Sequence, residues 1–256
     1  MAKSHQSNGY PALLYHRVGP TVSDDPHGLT VPMESFKAQV EWLARKKYET
    51  LPSLDWWHAV RSGEPAGKKL LLTFDDAYAD IATHALPVLH AHGFSALIFV
   101  VTGSVGMKDH WNGSSLPLMS EEQIRLWSGR GFEFASHSHS HRDLTLLTAP
   151  EIDAEIRDSD RVLRALVGRP APTFAYPYGY VSDLVVAAVR SQYQFAFSTE
   201  SGLNDIHADA HLLRRSMVLP KDSLFEFSMR VRRGRNDLTP VRSLLSPIKK
   251  LLAGAS

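Results

Sequence analysis

The 256-residue sequence contains no cysteine, and this absence narrows the chemistry open to the chain. Without cysteine there are neither disulfides nor thiolate metal ligands, so any transition-metal site must be built from His and carboxylate side chains. Long hydrophobic runs are missing as well. Runs such as residues 96–101 fall far short of the roughly 20 apolar residues that span a bilayer, so we expect no transmembrane helix.

A charge imbalance is also nearly absent, because the formal net charge is only +1. The basic residues are nevertheless concentrated at one end: residues 229–256 hold seven Lys or Arg and one Asp, about +6, which leaves about −5 for the rest. This basic tail could contact anionic lipid headgroups or a phosphate-bearing substrate, although a solvated, partly disordered terminus is the simpler interpretation. No nucleic-acid partner is expected, and the oligomeric state is left open.

The start of the chain, MAKSHQSNGYPALLYH, has one early lysine and no apolar run of signal-peptide length. We therefore predict no cleaved export signal and a cytoplasmic location. With 43% hydrophobic and 21% charged residues, the composition is that of a soluble globular protein. We predict a single domain over residues 12–228, between an N-terminal extension (1–11) and the basic tail (229–256).

What the sequence does contain is a regular alternation of short apolar runs and stretches with helical periodicity. This alternation predicts an α/β fold with parallel strands, either a closed barrel or an open doubly wound sheet. In both folds the loops at the carboxyl ends of the strands form the functional site. The seven predicted strands cover residues 12–16, 69–74, 95–101, 132–136, 173–176, 195–198 and 212–218. The five predicted helices cover residues 36–47, 78–92, 120–130, 149–167 and 182–191.

The stretch LLLTFDDAYAD places two adjacent acids, Asp75 and Asp76, at the end of a predicted core strand. Two neighbouring carboxylates in a partly enclosed site repel each other unless a cation or a proton offsets their charge. Alternatively, they form the N-cap and first turn of the helix predicted from Tyr78. The pair taken alone favours neither interpretation.

Three histidines, His137, His139 and His141, follow another predicted strand in the segment ASHSHSH. On a straight strand, residues four apart face the same way but lie about 13 Å from each other, too far to share one ion. If the chain curls after Ser136, His137 and His141 come together and His139 points elsewhere. The pattern favours a metal site, with two histidines and one aspartate as ligands, over purely structural histidines. The second aspartate would then act as a general base on water.

The segments TFDDAYAD, SHSHSHRDL and FAYPYG resemble, in order and spacing, motifs of the polysaccharide deacetylases, the NodB-like carbohydrate esterases of family 4. The resemblance covers about residues 13–218 and includes YHRVG near the N-terminus. It implies an irregular (β/α)7 barrel as a catalytic domain that removes acetyl groups from N-acetylated amino sugars of a polysaccharide, oligosaccharide or lipid-linked glycan. It also implies one divalent metal ion as cofactor, usually zinc in this family, with cobalt or nickel in some members.

The resemblance assigns a role to each matching residue. Asp75 matches the catalytic base, and the backbone N–H of Tyr178 matches the group that binds the oxyanion. The matched metal ligands are Asp76, His137 and His141. The matched groove-lining segment begins with Tyr176 and Pro177. We further expect Tyr176, Tyr178 and Trp111 to stack on the sugar, although an aromatic residue at a strand end is as often part of the core.

The sequence departs from the family pattern at two places. The usual Gly of the first motif is Ala77, which keeps the turn feasible but disfavours a positive φ. The general acid is usually the His of a Leu-x-His near the C-terminal end, where this chain reads HLLRRSMV. Some members are circularly permuted so that this strand comes first, and Leu14-Tyr15-His16 fits that arrangement. We therefore predict His16 as the general acid, with a structural histidine as the alternative.

Arg214, in the HLLRRSMV segment, is predicted to orient Asp75. Two other functions stay open. One is a sugar-binding protein that has kept the groove and lost the chemistry, because a fold does not secure a function. The other is a different metal-dependent hydrolase, such as a phosphoesterase, for which the basic tail is the only hint of an anion-binding group.

Overall fold

The computed structural model describes residues 9–20, 25–113, 115–169 and 172–235. Residues 1–8 and 236–256, which make up most of the predicted N-terminal extension and basic tail, lie outside the described residues. The described part forms one α/β domain. Its strands are β1 (Tyr10–Tyr15), β2 (Arg17–Gly19), β3 (Thr30–Pro32), β4 (Glu49–Thr50), β5 (Lys69–Phe74), β6 (Leu97–Val100), β7 (Glu133–Ser136), β8 (Thr173–Ala175), β9 (Phe195–Phe197), β10 (Leu203–Asn204) and β11 (Ser216–Met217). Its helices are α1 (Met33–Arg45), α2 (Ser53–Ser62), α3 (Leu86–Ala91), α4 (Glu121–Ser128), α5 (Ala149–Val167), α6 (Asp183–Gln192) and α7 (Leu224–Arg233).

The main sheet is curved and mostly parallel. Strands β1, β5, β6, β7, β8 and β9 lie side by side in that order, β11 adds to β1 in parallel, and β10 adds to β1 antiparallel. Leu213 bridges to Phe197 of β9 while the following β11 pairs with β1, so residues 213–217 connect the two ends of the sheet. All seven predicted strands are present, and the predicted barrel-type α/β fold is confirmed.

The alternation of side chains along β5 decides which residues face the barrel interior. Leu70 and Leu72 belong to the apolar cluster between the sheet and its helices, whereas Leu71 packs inside the barrel. By the same alternation, the side chains of Thr73 and Asp75 face the barrel interior, as that of Leu71 does. The strand therefore delivers the first acid of the pair to the mouth of the barrel.

Of the five predicted helices, α5 has the predicted ends, α1, α4 and α6 are present with shifted ends, and the helix predicted from Tyr78 is wrong at its start. Tyr78 forms an isolated bridge with Leu118, and a π-helical turn, Ile81–Ala85, precedes α3. Pro87 has no N–H to donate to the preceding turn, which explains why regular α-helical bonding is interrupted here.

Two helices were not predicted. Helix α2 lies between Pro52 and Gly63, and α7 packs on α1 through the rings of Trp42 and Phe227, whose centroids are 5.8 Å apart. Because α7 runs through residue 229, the predicted end of the domain falls inside a packed helix. Within the described ranges, no helix is both long enough and apolar enough to cross a bilayer.

Candidate active site

The acidic pair lies at the carboxyl end of β5, where the backbone turns sharply. The Asp75 N–H donates to Tyr15 O of β1 at 2.9 Å, which extends the sheet pairing to the rim of the barrel. Asp76 and Ala77 then adopt left-handed φ angles of 67° and 55°. Ala77 thus takes the positive φ that we expected its Cβ to disfavour, at a cost on the order of 1 kcal/mol. The chain bends away before any helix begins, so the interpretation of the pair as a helix N-cap is wrong.

The histidine loop, His137–His141, curls directly after β7. Ser138 and His141 have left-handed φ angles of 64° and 59°, and the His141 N–H donates to Ser138 Oγ at 3.0 Å. The ring centroids of His137 and His141 consequently lie 4.9 Å apart. His139 points away, with its Nδ1 3.1 Å from Thr102 Oγ1. The structure brings together the two histidines predicted as a pair and separates the third.

A buried carboxylate on α5 holds the histidine loop in this shape. Glu155 Oε2 accepts from the N–H groups of His139 and Ser140 at 3.0 and 2.8 Å, and its Oε1 accepts from the Ser140 hydroxyl. One turn further along the helix, Ser159 Oγ lies 2.6 Å from Ser136 Oγ at the end of β7. Helix α5 therefore satisfies donors that the curled backbone would otherwise leave unpaired.

Asp76, His137 and His141 form a buried set whose donor atoms all lie within 4.8 Å of one another. Asp76 Oδ1 is 3.6 Å from His137 Nε2 and 3.3 Å from His141 Nε2. His137 Nδ1 donates to Ala175 O at 2.8 Å, which leaves the Nε2 lone pair facing the aspartate. Among the described residues, Asp76 Oδ1 is buried and accepts no hydrogen bond. These residues fit one divalent metal ion, which would satisfy the unpaired oxygen and the imidazole lone pairs.

The protonation states of Asp76 and His137 also suit metal ligands. Burial acts to raise the pKa of Asp76, but the neighbouring His141 and His137 outweigh it and hold that pKa well below its usual range. Burial lowers the pKa of His137 to about 4, so its imidazole is neutral at pH 7. An ionised carboxylate and a neutral imidazole are the forms that bind a metal ion.

The other aspartate of the pair is held by a buried arginine. Arg215 Nη1 and Nη2 donate to the two oxygens of Asp75 at 2.6 and 2.8 Å. Arg215 is 0% exposed, and its guanidinium lies against the rings of Phe99 and Phe197. Burial acts to raise the pKa of Asp75, but Arg215 and then His137 hold it below its usual range. Asp75 is therefore an ionised carboxylate with a fixed orientation.

The prediction that Arg214 orients Asp75 is wrong. The Arg214 side chain is about half exposed, and its Nε lies 3.7 Å from Glu200 Oε2. Consecutive side chains of an extended segment point to opposite faces, so Arg215 enters the barrel and Arg214 leaves it.

His16 lies at the carboxyl end of β1, on the same rim, and is half-buried. It makes a minor contribution to the lowered pKa of Asp75, after Arg215 and His137, and to that of Asp76, after His141 and His137. The next residue anchors this corner, because Arg17 Nε donates to Asp80 Oδ2 at 2.8 Å. The structure thus places an imidazole on the same rim as the paired aspartates, and its role as general acid stays a prediction.

Two aromatic side chains flank His141. Trp111 stacks on it with ring centroids 4.6 Å apart at 24°, and Tyr178 meets it edge-on at 4.6 Å and 71°. Tyr178 has a left-handed φ of 59°, and the hydrogen bonds of its turn are donated by Gly179 and Tyr180. The Tyr178 N–H is not one of these two donors, and its role in binding the oxyanion stays a prediction.

Tyr176 and Pro177 do not line the groove as predicted. Both are buried, and the Tyr176 hydroxyl donates to His211 O at 3.0 Å while its ring packs edge-on against Phe174. Tyr176 faces the outer apolar cluster together with Phe174, because the two residues share one phase of β8. Direct contact of these two side chains with a sugar is therefore a wrong prediction.

The fold and the site together define an α/β-barrel protein with a candidate two-histidine, one-aspartate metal site at its strand ends. Residues 62–196 match the family model described as polysaccharide deacetylase. The YxkH protein of Bacillus subtilis, whose name places it among the polysaccharide deacetylases, is 30% identical over 220 residues, which cover 85% of this chain and 74% of that protein. This chain belongs to the polysaccharide deacetylase family.

Other relatives and solved structures agree in family or fold. A poly-beta-1,6-N-acetyl-D-glucosamine N-deacetylase of Staphylococcus aureus is 24% identical over 243 residues, covering 87% of this chain and 82% of that enzyme. The structure of IcaB from Ammonifex degensii aligns with a TM-score of 0.73 and 26% identity over 84% of this chain and 94% of that one. The Streptococcus pyogenes deacetylase PplD shares the fold, with a TM-score of 0.76 at 24% identity over 88% and 98% of the two chains.

Proposed function

We propose that this protein is a metal-dependent N-deacetylase that hydrolyses the acetamide groups of amino sugars in a glycan, with Zn²⁺ as the most suitable ion. The observation that carries the proposal is that the two adjacent aspartates have different partners. Asp76 lies next to two imidazoles in a buried set, whereas Asp75 is bound by Arg215. The family membership and the Staphylococcus aureus relative support an acetylated sugar as substrate.

Asp76, His137 and His141 would hold the ion, which supplies a Lewis acid for the acetamide oxygen and lowers the pKa of a nearby water. Asp75 takes a proton from the water as its oxygen attacks the carbonyl carbon. The Tyr178 N–H donates to the oxyanion, an interaction of the kind usually worth about 2.7–4 kcal/mol per donor. His16, protonated, donates to the sugar nitrogen as the C–N bond breaks, which yields acetate and a free amine.

Acetate release from N-acetylglucosamine oligomers, before and after removal of metal with a chelator, tests the proposal. We expect activity to disappear with the metal and to return when Zn²⁺ is added. Asp75→Asn should abolish turnover and keep the metal, whereas Asp76→Ala should lose both. His139→Ala is the matched control, because this histidine lies in the same loop and points away from the set. Full activity in the metal-free protein would contradict the proposal.

The two rival functions have distinct outcomes in the same experiment. Binding of the oligomers without acetate release would favour a sugar-binding protein, and phosphate release from phosphate esters would favour a phosphoesterase. The ionised, oriented Asp75 supports a hydrolase over a binding protein. The cytoplasmic location, and membrane contact through the basic tail, stay predictions from the sequence.

A further inference from the structure

An exposed aromatic pair leads away from the candidate active site along the loop between β8 and α6. The ring of Tyr178, which contacts His141, is stacked on its other neighbour, Tyr180, with centroids 5.6 Å apart at 30°. Tyr178 is 40% exposed and Tyr180 is 56% exposed. The proposed reaction uses the Tyr178 N–H but gives Tyr180 no part. A large exposed aromatic ring that continues an active-site wall is suited to contact a ligand.

Val181, the residue after Tyr180 in the chain, lines a surface groove of about 460 Å³. We call it the distal groove. Its volume falls within the range of small-molecule sites, about 300–1,000 Å³. One wall is a single face of α6 and the other is the loop before β11. The residues that matter here are Val181, Asp183, Ala187, Arg190, Asp209 and Leu212.

The groove combines apolar and polar groups. Val181 and Leu212 are exposed apolar side chains, and Arg190 Nη2 lies 3.4 Å from Asp209 Oδ1 in a partly exposed pair. Apolar surface with a few placed polar groups matches a sugar ring, which has apolar faces and a hydroxylated edge. Two aspartates against one arginine give the groove a formal charge of −1, which disfavours a polyanionic glycan.

We propose that Tyr180 and the distal groove form a subsite for a second sugar residue, one that belongs to the same neutral or amino-bearing glycan chain whose acetamide lies at the candidate active site. This inference rests on the proposed function and deepens it, because it assigns a place on this chain to a second sugar of the substrate glycan. Binding energy from the remote residue then adds to that at the reacting centre. The kcat/KM for acetate release should therefore rise with chain length.

The test compares kcat/KM for monomeric N-acetylglucosamine with kcat/KM for its pentamer. The readout is the pentamer-to-monomer ratio. Tyr180→Ala removes the stacking face and Ala187→Trp fills the groove, and in each we expect the ratio to fall about five- to tenfold, mainly through KM. Tyr180→Phe should keep the ratio because the ring remains. Phe225→Ala is the matched control, since Phe225 is an aromatic residue 61% exposed on α7, outside the groove.

An unchanged ratio in Tyr180→Ala and Ala187→Trp, with acetate still released, would overturn the subsite and leave the proposed function standing. An equal loss on monomer and pentamer in Tyr180→Ala would also overturn it, because Tyr180 would then only support Tyr178. If the wild-type protein released no acetate, the proposed function would fail. Calorimetric binding of the pentamer to the wild type and to both variants would still decide the subsite: weaker binding by both variants supports it, and equal binding overturns it.

Discussion

The charge and direction of the Asp75 carboxylate depend chiefly on one neighbour, Arg215. A fully buried carboxylate in apolar surroundings prefers to be protonated, and the bidentate contact from Arg215 reverses that preference. Arg215 is held in turn, because its Nε donates to Ser198 O at 3.1 Å and its Nη1 to Thr73 Oγ1 at 3.2 Å. Removal of one partner from such a buried ion pair typically costs about 3–5 kcal/mol of stability.

Arg215→Met is predicted to lower kcat/KM for acetate release at least a hundredfold and to move the acid limb of its pH profile to higher pH. Without the guanidinium, burial raises the pKa of Asp75, so the base becomes ionised only at a higher pH. The pH profile of kcat/KM measures this shift. Arg214→Met, at the adjacent exposed position, should leave the profile in place. Identical acid limbs for the two variants would contradict the assignment.

The choice between Arg214 and Arg215 could not be made from the sequence. Strand β11 has only two residues, so HLLRRSMV offers no alternation long enough to fix which arginine faces inward. The same limit applies to Tyr176, whose burial depends on the phase of the three-residue β8. By contrast, the convergence of the candidate metal ligands was predictable, because the acids and the histidines occur at strand ends and only a curl between His137 and His141 was needed.

The histidine loop depends on α5 for its shape. Two of its residues have left-handed φ angles, and three donors of the loop converge on Glu155. Glu155 is 8% exposed and accepts hydrogen bonds from His139 and Ser140, which lie between the two candidate histidine ligands, so it acts by positioning the backbone between them. Groups of this kind, one step removed from the ligands, commonly change metal affinity about 10- to 100-fold when replaced.

Glu155→Gln is therefore predicted to weaken Zn²⁺ binding by about 10- to 100-fold, because an amide NH₂ would face one of the loop donors. The dissociation constant, measured by competition with a chromophoric chelator, is the readout. Asp153→Asn, an exposed carboxylate on the same helix, is the matched control and should bind Zn²⁺ as tightly as the wild type. Equal affinities of the two variants would show that the loop keeps its shape without Glu155.

Helices α2 and α7 show why a helix that is stabilised by tertiary packing can be missed in a prediction from sequence. In α2 the fully buried positions are few, with Trp56 and Val60 one turn apart. In α7 the arginines gave the segment the composition of a tail, yet Phe227 and Val231 are buried against α1 and the sheet. For residues 229–233, local composition favoured a solvated terminus, and packing of one apolar face decided otherwise.

An ion pair between Arg17 and Asp80 joins two parts of the molecule that are distant in the sequence. Arg17 follows His16 at the end of β1, and Asp80 lies just after the acidic pair. Both side chains are mostly buried, at 7% and 18% exposed. Burial raises the pKa of Asp80 to about 6, although Arg17 beside it acts in the opposite direction. The native state therefore binds a proton at Asp80 more tightly than the unfolded chain does.

This linkage predicts that the difference in the free energy of unfolding between the wild type and Asp80→Asn depends on pH. Because the native pKa is raised, the contribution of Asp80 to stability falls as pH increases from about 4 to about 6 and is flat above that. The free energy of unfolding of the wild type minus that of Asp80→Asn should therefore be about 1 kcal/mol greater at pH 5 than at pH 7. Chemical denaturation at both pH values measures it, and a difference that grows with pH would contradict the prediction.

The measurement that bears most directly on the whole account is calorimetric titration of Zn²⁺ into the chelator-treated protein. We predict one binding site per chain, lost in Asp76→Ala and in His137→Ala but retained in Asp75→Asn and in His139→Ala. Absence of binding in the wild type, or equal binding in Asp76→Ala and Asp75→Asn, would show that the two aspartates do not divide the roles of ligand and base.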